Sequence, residues 1–168
     1  MSDEKEAIQA TDLPVTIHAQ YVRDLSFENP NAPEALRTGL ANPEMNVSIN
    51  LTANPLEGTD IQNLYEVSLI ISATAKREDQ TLFIAEVVYG ITVSISDIVP
   101  ENQHHPVLFI EIPRLAFPFA RQILITAVTQ GGYPPLPLQP VDFQALYMER
   151  FKEELEESQA KSASGKSK

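Results

Sequence analysis

The chain contains no Cys and no Trp. The first absence excludes disulfides, thiolate zinc sites and a Cys nucleophile. Basic residues are scarce: 12 Lys plus Arg stand against 23 Asp plus Glu in 168 residues, for a formal net charge of −11. That balance argues against nonspecific nucleic-acid binding, which needs clustered cations to displace counterions from phosphates. It argues equally against an anionic membrane surface as the main partner. Long apolar runs are missing too. No stretch reaches the ~18 residues of a membrane span, and Glu86 and Arg121 interrupt the best candidates. The acidic opening, Met1-Ser-Asp-Glu-Lys-Glu6, has no apolar signal segment, so a soluble cytoplasmic protein is expected. GxxxxGKS/T, GxGxxG and GxSxG are all absent, which leaves no phosphate cradle and no nucleophile elbow.

What is present is enough for a core. Hydrophobic residues make up 43% of the chain, and the length suits one domain with tails. The acidity lies in the folded part: residues 1–150 hold 8 basic and 19 acidic residues, whereas 151–168 balance. Between Thr38 and Ala75 there is no Lys or Arg, and Glu78 to Pro113 holds six acids and again no Lys or Arg. Such a surface serves solubility or docks a basic partner.

Period-two alternation marks four strands. In the first, Val15, Ile17, Ala19, Tyr21, Leu25 and Phe27 share one parity, with Arg23 and Val22 as exceptions. Asn29-Pro-Asn-Ala-Pro33 breaks it. Met45, Val47, Ile49, Leu51 and Ala53 give the second strand, Leu64 to Ala75 the third and Thr81 to Ile95 the fourth. Arg77-Glu-Asp-Gln80 joins the last two as an antiparallel hairpin. The fourth strand is apolar on both parities early on, through Leu82, Ile84 and Val88 against Phe83, Ala85, Val87 and Tyr89. A second subunit over its outer face is therefore expected. Residues 96–113 read as an irregular link with three prolines, and 115–130 as a helix on Phe119, Ile123 and Ala127. Pro118 is acceptable there only in the first turn. A second helix follows Asp142, with Phe143, Leu146, Tyr147 and Phe151 as its stripe. Residues 1–13 form a leader, 14–151 one domain and 152–168 a disordered tail. The fold class is α+β, a four-stranded antiparallel sheet followed by two C-terminal helices.

No constellation supports an enzyme. His104-His105 with Glu101 lacks metal-ligand spacing, since adjacent side chains seldom converge on one ion. No carboxylate pair has an assignable catalytic spacing. No metal and no cofactor are expected.

Several segments in order resemble one family. Tyr21-Val-Arg-Asp-Leu-Ser-Phe-Glu-Asn-Pro-Asn-Ala-Pro33 resembles the first strand and turn of SecB, the bacterial export chaperone. Tyr65-Glu-Val, Phe83-Ile-Ala-Glu-Val87, Phe117-Pro-Phe-Ala-Arg121 and Pro134-Pro-Leu-Pro-Leu-Gln-Pro-Val-Asp-Phe143 look like later SecB blocks. The resemblance spans residues 15–151. It implies a homotetramer, a dimer of dimers, without cofactor or ATP hydrolysis. It implies that unfolded secretory precursors are held and delivered to the motor SecA, as in Gram-negative bacteria.

Carried over by motif, Asp24, Glu28, Ile84 and Glu86 stand at SecA-binding positions, with Ile84 where Leu is common. Ala85, Val87 and Tyr89 match positions that influence tetramer assembly; Ala85 replaces a frequent Cys and Tyr89 a frequent Gln. Arg114 replaces a short polar residue. A client groove is expected on Met45, Val47, Ile49 and Leu51, with Phe143 and Leu146 from the second helix. Many weak apolar contacts at ~25 cal/mol per Å2 suit promiscuous clients. The competing readings are an adaptor or toxin-controlling SecB-like chaperone with one dedicated client, and a small-molecule protein with a polar pocket.

Overall fold

Four strands form a single antiparallel sheet: β1 (Val15–Glu28), β2 (Glu44–Pro55), β3 (Leu64–Arg77) and β4 (Gln80–Ile95). Their order is β1-β4-β3-β2, which puts β1 and β2 on the two edges. The computed structural model describes residues 13–37 and 42–152. The leader and tail expected from sequence lie almost wholly outside these residues.

Two irregularities in the β1–β4 register explain the sequence exceptions. Register shifts fall between Ile17 and Ala19 and between Val22 and Asp24, so His18 and Arg23 are the extra residues. Each extra residue reverses the parity of the strand beyond it. Leu25 and Phe27 therefore share a face with Gln20 and Val22, while Tyr21 turns to the opposite one. The expected single-parity apolar face is wrong between the two bulges. A third shift, between Ala75 and Lys76 of β3, makes Leu82 the extra residue of β4. That is why Leu82 is buried despite its even parity.

One face of the sheet carries the core. Val67, Leu69, Ile71 and Ala73 of β3 and Ala85, Val87, Ile91 and Val93 of β4 are fully buried there. Helical residues run without a break from Glu101 to Gln130, as α1 (Glu101–Pro106), a π turn (Val107–Glu111) and α2 (Ile112–Gln130). The sequence reading of an irregular 96–113 link is corrected here. Pro106 and Pro113 suggested a break, because proline lacks an N–H and clashes with the preceding turn. The structure widens that turn instead: the Ile112 N–H donates to the Val107 carbonyl, five residues back, just before Pro113. Pro118 likewise lies inside α2, on its exposed side.

The earlier helix start rotates the buried stripe. Ile112, Ala116, Ala120, Leu124 and Val128 face the sheet, whereas Phe119 is 54% exposed. Two alanines in mid-stripe let the helix lie close to the sheet. A last helix, α3 (Phe143–Arg150), is capped by Asp142, whose Oδ1 accepts from the Ala145 N–H at 2.9 Å. Asp142→Ala should cost about 1 kcal/mol of stability in a denaturant titration.

The Asn29-to-Pro33 block has a structural task. The Asn29 side chain donates to the Gly131 carbonyl at 3.2 Å, and Asn31 donates to Thr81 at 2.7 Å. The Tyr133 hydroxyl donates in a shared bond to Asn29 Oδ1 and the Leu82 carbonyl. Burial raises the pKa of Tyr133, against the opposing charge of Arg77. Phe27 stacks on Phe83, and the Tyr133 ring tilts against Phe83 over this corner.

Candidate functional site

Two surfaces remain after the core is assigned. The first is the outer face of the sheet, turned away from the helices. Register places Glu28 beside Ile84, Ser26 beside Glu86 and Asp24 beside Val88. Paired residues of an antiparallel ladder point to the same side. Asp24, Glu28, Ile84 and Glu86 therefore stand together, with the Glu86 row between the rows of the other two acids. Successive rows on one face lie ~7 Å apart, so the three carboxylates form one patch. Ile84 is 39% exposed and supplies an apolar spot within it. Across the next pairing Ser72 meets Glu86, and its hydroxyl donates to the Glu86 carboxylate. Farther along this face the Tyr21 hydroxyl donates to Glu66, which also accepts from Arg23 at 3.1 Å. The bond to Glu66, then burial, raises the pKa of Tyr21.

The second surface is a groove between edge strand β2 and the helices. A cavity of about 250 Å3 is lined by Ile49, Leu51, Phe109, Leu146, Tyr147 and Phe151, with Arg150 at its rim. Phe109 enters from the π turn, and the widened turn sets its direction. Its ring lies 5.2 Å from Phe151, edge to face. His105 joins them, 4.6 Å from Phe109, with Nδ1 2.9 Å from the Tyr147 hydroxyl. His104 points elsewhere, into a buried site near the Val99 carbonyl and Tyr65.

Of the residues expected in the groove, Ile49, Leu51 and Leu146 line the cavity together. Met45 and Val47 continue the same face of β2 beyond the helices and are exposed. Phe143 does not reach the groove. It is 1% exposed and packs edge to face on Phe117 at 5.8 Å. Ala85, Val87 and Tyr89 are covered by this chain's own helical layer. The outer face of β4, for which a second subunit was expected, exposes Ile84 and half-buries Val88.

Sequence reading missed Phe109 and Arg150. Phe109 precedes the Ile112–Ala116–Ala120 stripe and was legible only if 96–113 was helical. Arg150 gave no signal, because its partner is a backbone carbonyl across the groove.

The family model for SecB, preprotein translocase subunit SecB, matches residues 8–154. A protein-export protein SecB from Bartonella quintana (strain Toulouse) is 46% identical over 140 residues, covering 83% of this chain and 85% of the relative. One from Agrobacterium fabrum is 43% identical and covers 95% and 96%. Among solved structures, a Mycobacterium tuberculosis SecB-like chaperone in complex with a ChAD peptide from the HigA1 antitoxin has a TM-score of 0.61. It is 11% identical and covers 76% of this chain and 91% of that one, so the likeness is one of fold.

Proposed function

Because the chain belongs to the SecB family, we propose that its two surfaces divide the work of an export chaperone, the groove holding clients and the acidic sheet face docking SecA. Preprotein binding for export is the function its family membership gives it. The chaperone role needs no catalytic residue, and we assign none. The groove reading rests on one observation: apolar side chains from β2, the π turn and α3 converge on an open cavity beside a strand edge left unpaired among the described residues. Unfolded polypeptides expose the apolar groups that such a wall covers.

The docking reading rests on the convergence of Asp24, Glu28 and Glu86 around Ile84. A basic partner surface would be steered and oriented by those carboxylates. Ser72 fixes the direction of one of them. Glu86→Lys should weaken SecA binding at least about tenfold and leave suppression of precursor aggregation unchanged. Calorimetry with purified SecA, beside light scattering of an unfolded precursor, checks both arms. Undiminished SecA affinity would overturn the docking face.

A dimer of dimers is the assembly we propose. Leu115 and Phe119 on α2, at 57% and 54% exposure, and Val22 and Leu25 on edge strand β1 offer apolar surface for it. Among the described residues no helix is long and apolar enough to cross a membrane. We propose a cytoplasmic location on family grounds. The reading as a chaperone with one dedicated client has less support: the antitoxin-peptide complex shares the fold, whereas the export proteins share nearly half the sequence.

A further inference from the structure

Edge strand β2 presents its free backbone through a specific set of residues. Just past its end the Leu56 N–H donates to the Leu64 carbonyl at 2.9 Å, so the even-numbered residues form the hydrogen-bonded pairs with β3. The pairing alternates without a bulge. The odd-numbered residues, Met45 through Ala53, therefore turn their N–H and C=O groups outward. Pro55 agrees with this phase, since a proline is tolerated where its missing donor faces the open edge. The same odd residues carry the apolar side chains of the groove. From Met45 to Ile49 the edge has none of the charges or prolines that usually protect one.

At Leu51 that changes. Arg150 donates through Nη1 to the Leu51 carbonyl at 2.8 Å. Its guanidinium carbon lies 5.8 Å from the Phe109 ring centre and 5.3 Å from that of Phe151. The stacked guanidinium is thus held by two rings while it occupies one outward acceptor.

We propose that Arg150 is the end-stop of the client groove: an extended client segment pairs with the β2 edge from Met45 to Ile49 and is halted at Leu51, whose carbonyl Arg150 occupies. Arg150 is in this sense a positioning residue that sets the length of client strand held at the edge. The inference rests on the groove reading above.

The test compares wild type, Arg150→Met and Arg150→Lys, each with a synthetic peptide of alternating Val and Thr flanked by Lys. Residue-resolved amide exchange of the full chain reads the footprint. In wild type the peptide should protect the Val47 and Ile49 amides and leave those of Leu51 and Ala53 unprotected. Methionine retains length and ring contact but donates no hydrogen bond. Protection in Arg150→Met should extend through Leu51 and Ala53, and affinity for a longer peptide should rise about threefold to tenfold. Lysine can still donate to the carbonyl and should restore the wild-type footprint. A loosened α3 alone would not lengthen the footprint or respond to lysine. An identical footprint in wild type and Arg150→Met overturns the end-stop and leaves the groove standing. No protection along Met45 to Ile49, with aggregation suppression intact, overturns both.

Discussion

Phe143→Ala lowers the unfolding free energy by about 3–5 kcal/mol, and the molecules that remain folded bind an unfolded client with unchanged affinity. Among the described residues Phe143 is the largest fully buried side chain, and it opens α3 just after the Asp142 cap. Its ring is locked edge to face against Phe117 of α2. Removal leaves a cavity between two helices, and the rigid sheet beneath prevents easy collapse. Transfer and cavity terms therefore add. The proposed client wall includes Leu146, Tyr147 and Phe151, one turn or more further on. Urea titration measures the first effect and client affinity well below the midpoint measures the second. Lost affinity in fully folded protein would return Phe143 to the groove.

Gly90→Val is expected to cost about 2–3 kcal/mol, with Tyr21 displaced from the sheet. A Cβ on residue 90 would sit 2.4 Å from the edge of the Tyr21 ring, too close for any side chain. The bulge at His18 turns Tyr21 onto this outer face, directly across from Gly90. The ring lies on the glycine, and its hydroxyl reaches Glu66 two strands away. A methyl group alone would force the ring off; the second branch of valine prevents its return. Expulsion breaks the Glu66 bond and loosens edge strand β1. Thermal melts measure the loss, and tyrosine fluorescence reports the ring. Gly90→Val in a Tyr21→Ala background should recover part of the difference, since the clash is then gone.

The strands were legible in the sequence because alternation survives in a sheet with one buried face. The exceptions to that alternation carried information as well. Val22 and Arg23 broke parity at a bulge, and Leu82 broke it at another. Such breaks read as noise until a register is known, because a bulge is defined by the partner strand. The helix from Glu101 to Ile112 was hidden by Pro106 and Pro113, whose local preference was overridden by a π turn and by burial of Leu108 and Ile112. That single omission also concealed Phe109. For the docking face, sequence separated two pairs, Asp24 with Glu28 and Ile84 with Glu86. Only the β1–β4 register joins them, and long-range pairing leaves no trace in local pattern. Phe143 shows the reverse error: an apolar stripe marks a covered face, but not which of its residues meets core and which meets groove.

The strand order has a consequence for how this chain is made. β1 is synthesised first of the four and pairs only with β4, so Val15 must wait for Ile95. The β3–β4 hairpin closes locally, and β2 reaches β3 across a short connection. The β1 seam alone needs closure of a long loop, which slows the final step of assembly. During translation the N-terminal strand therefore emerges with open edges and no neighbour. A chain whose task is to shelter late-folding polypeptides passes through the same exposed interval on its own way off the ribosome.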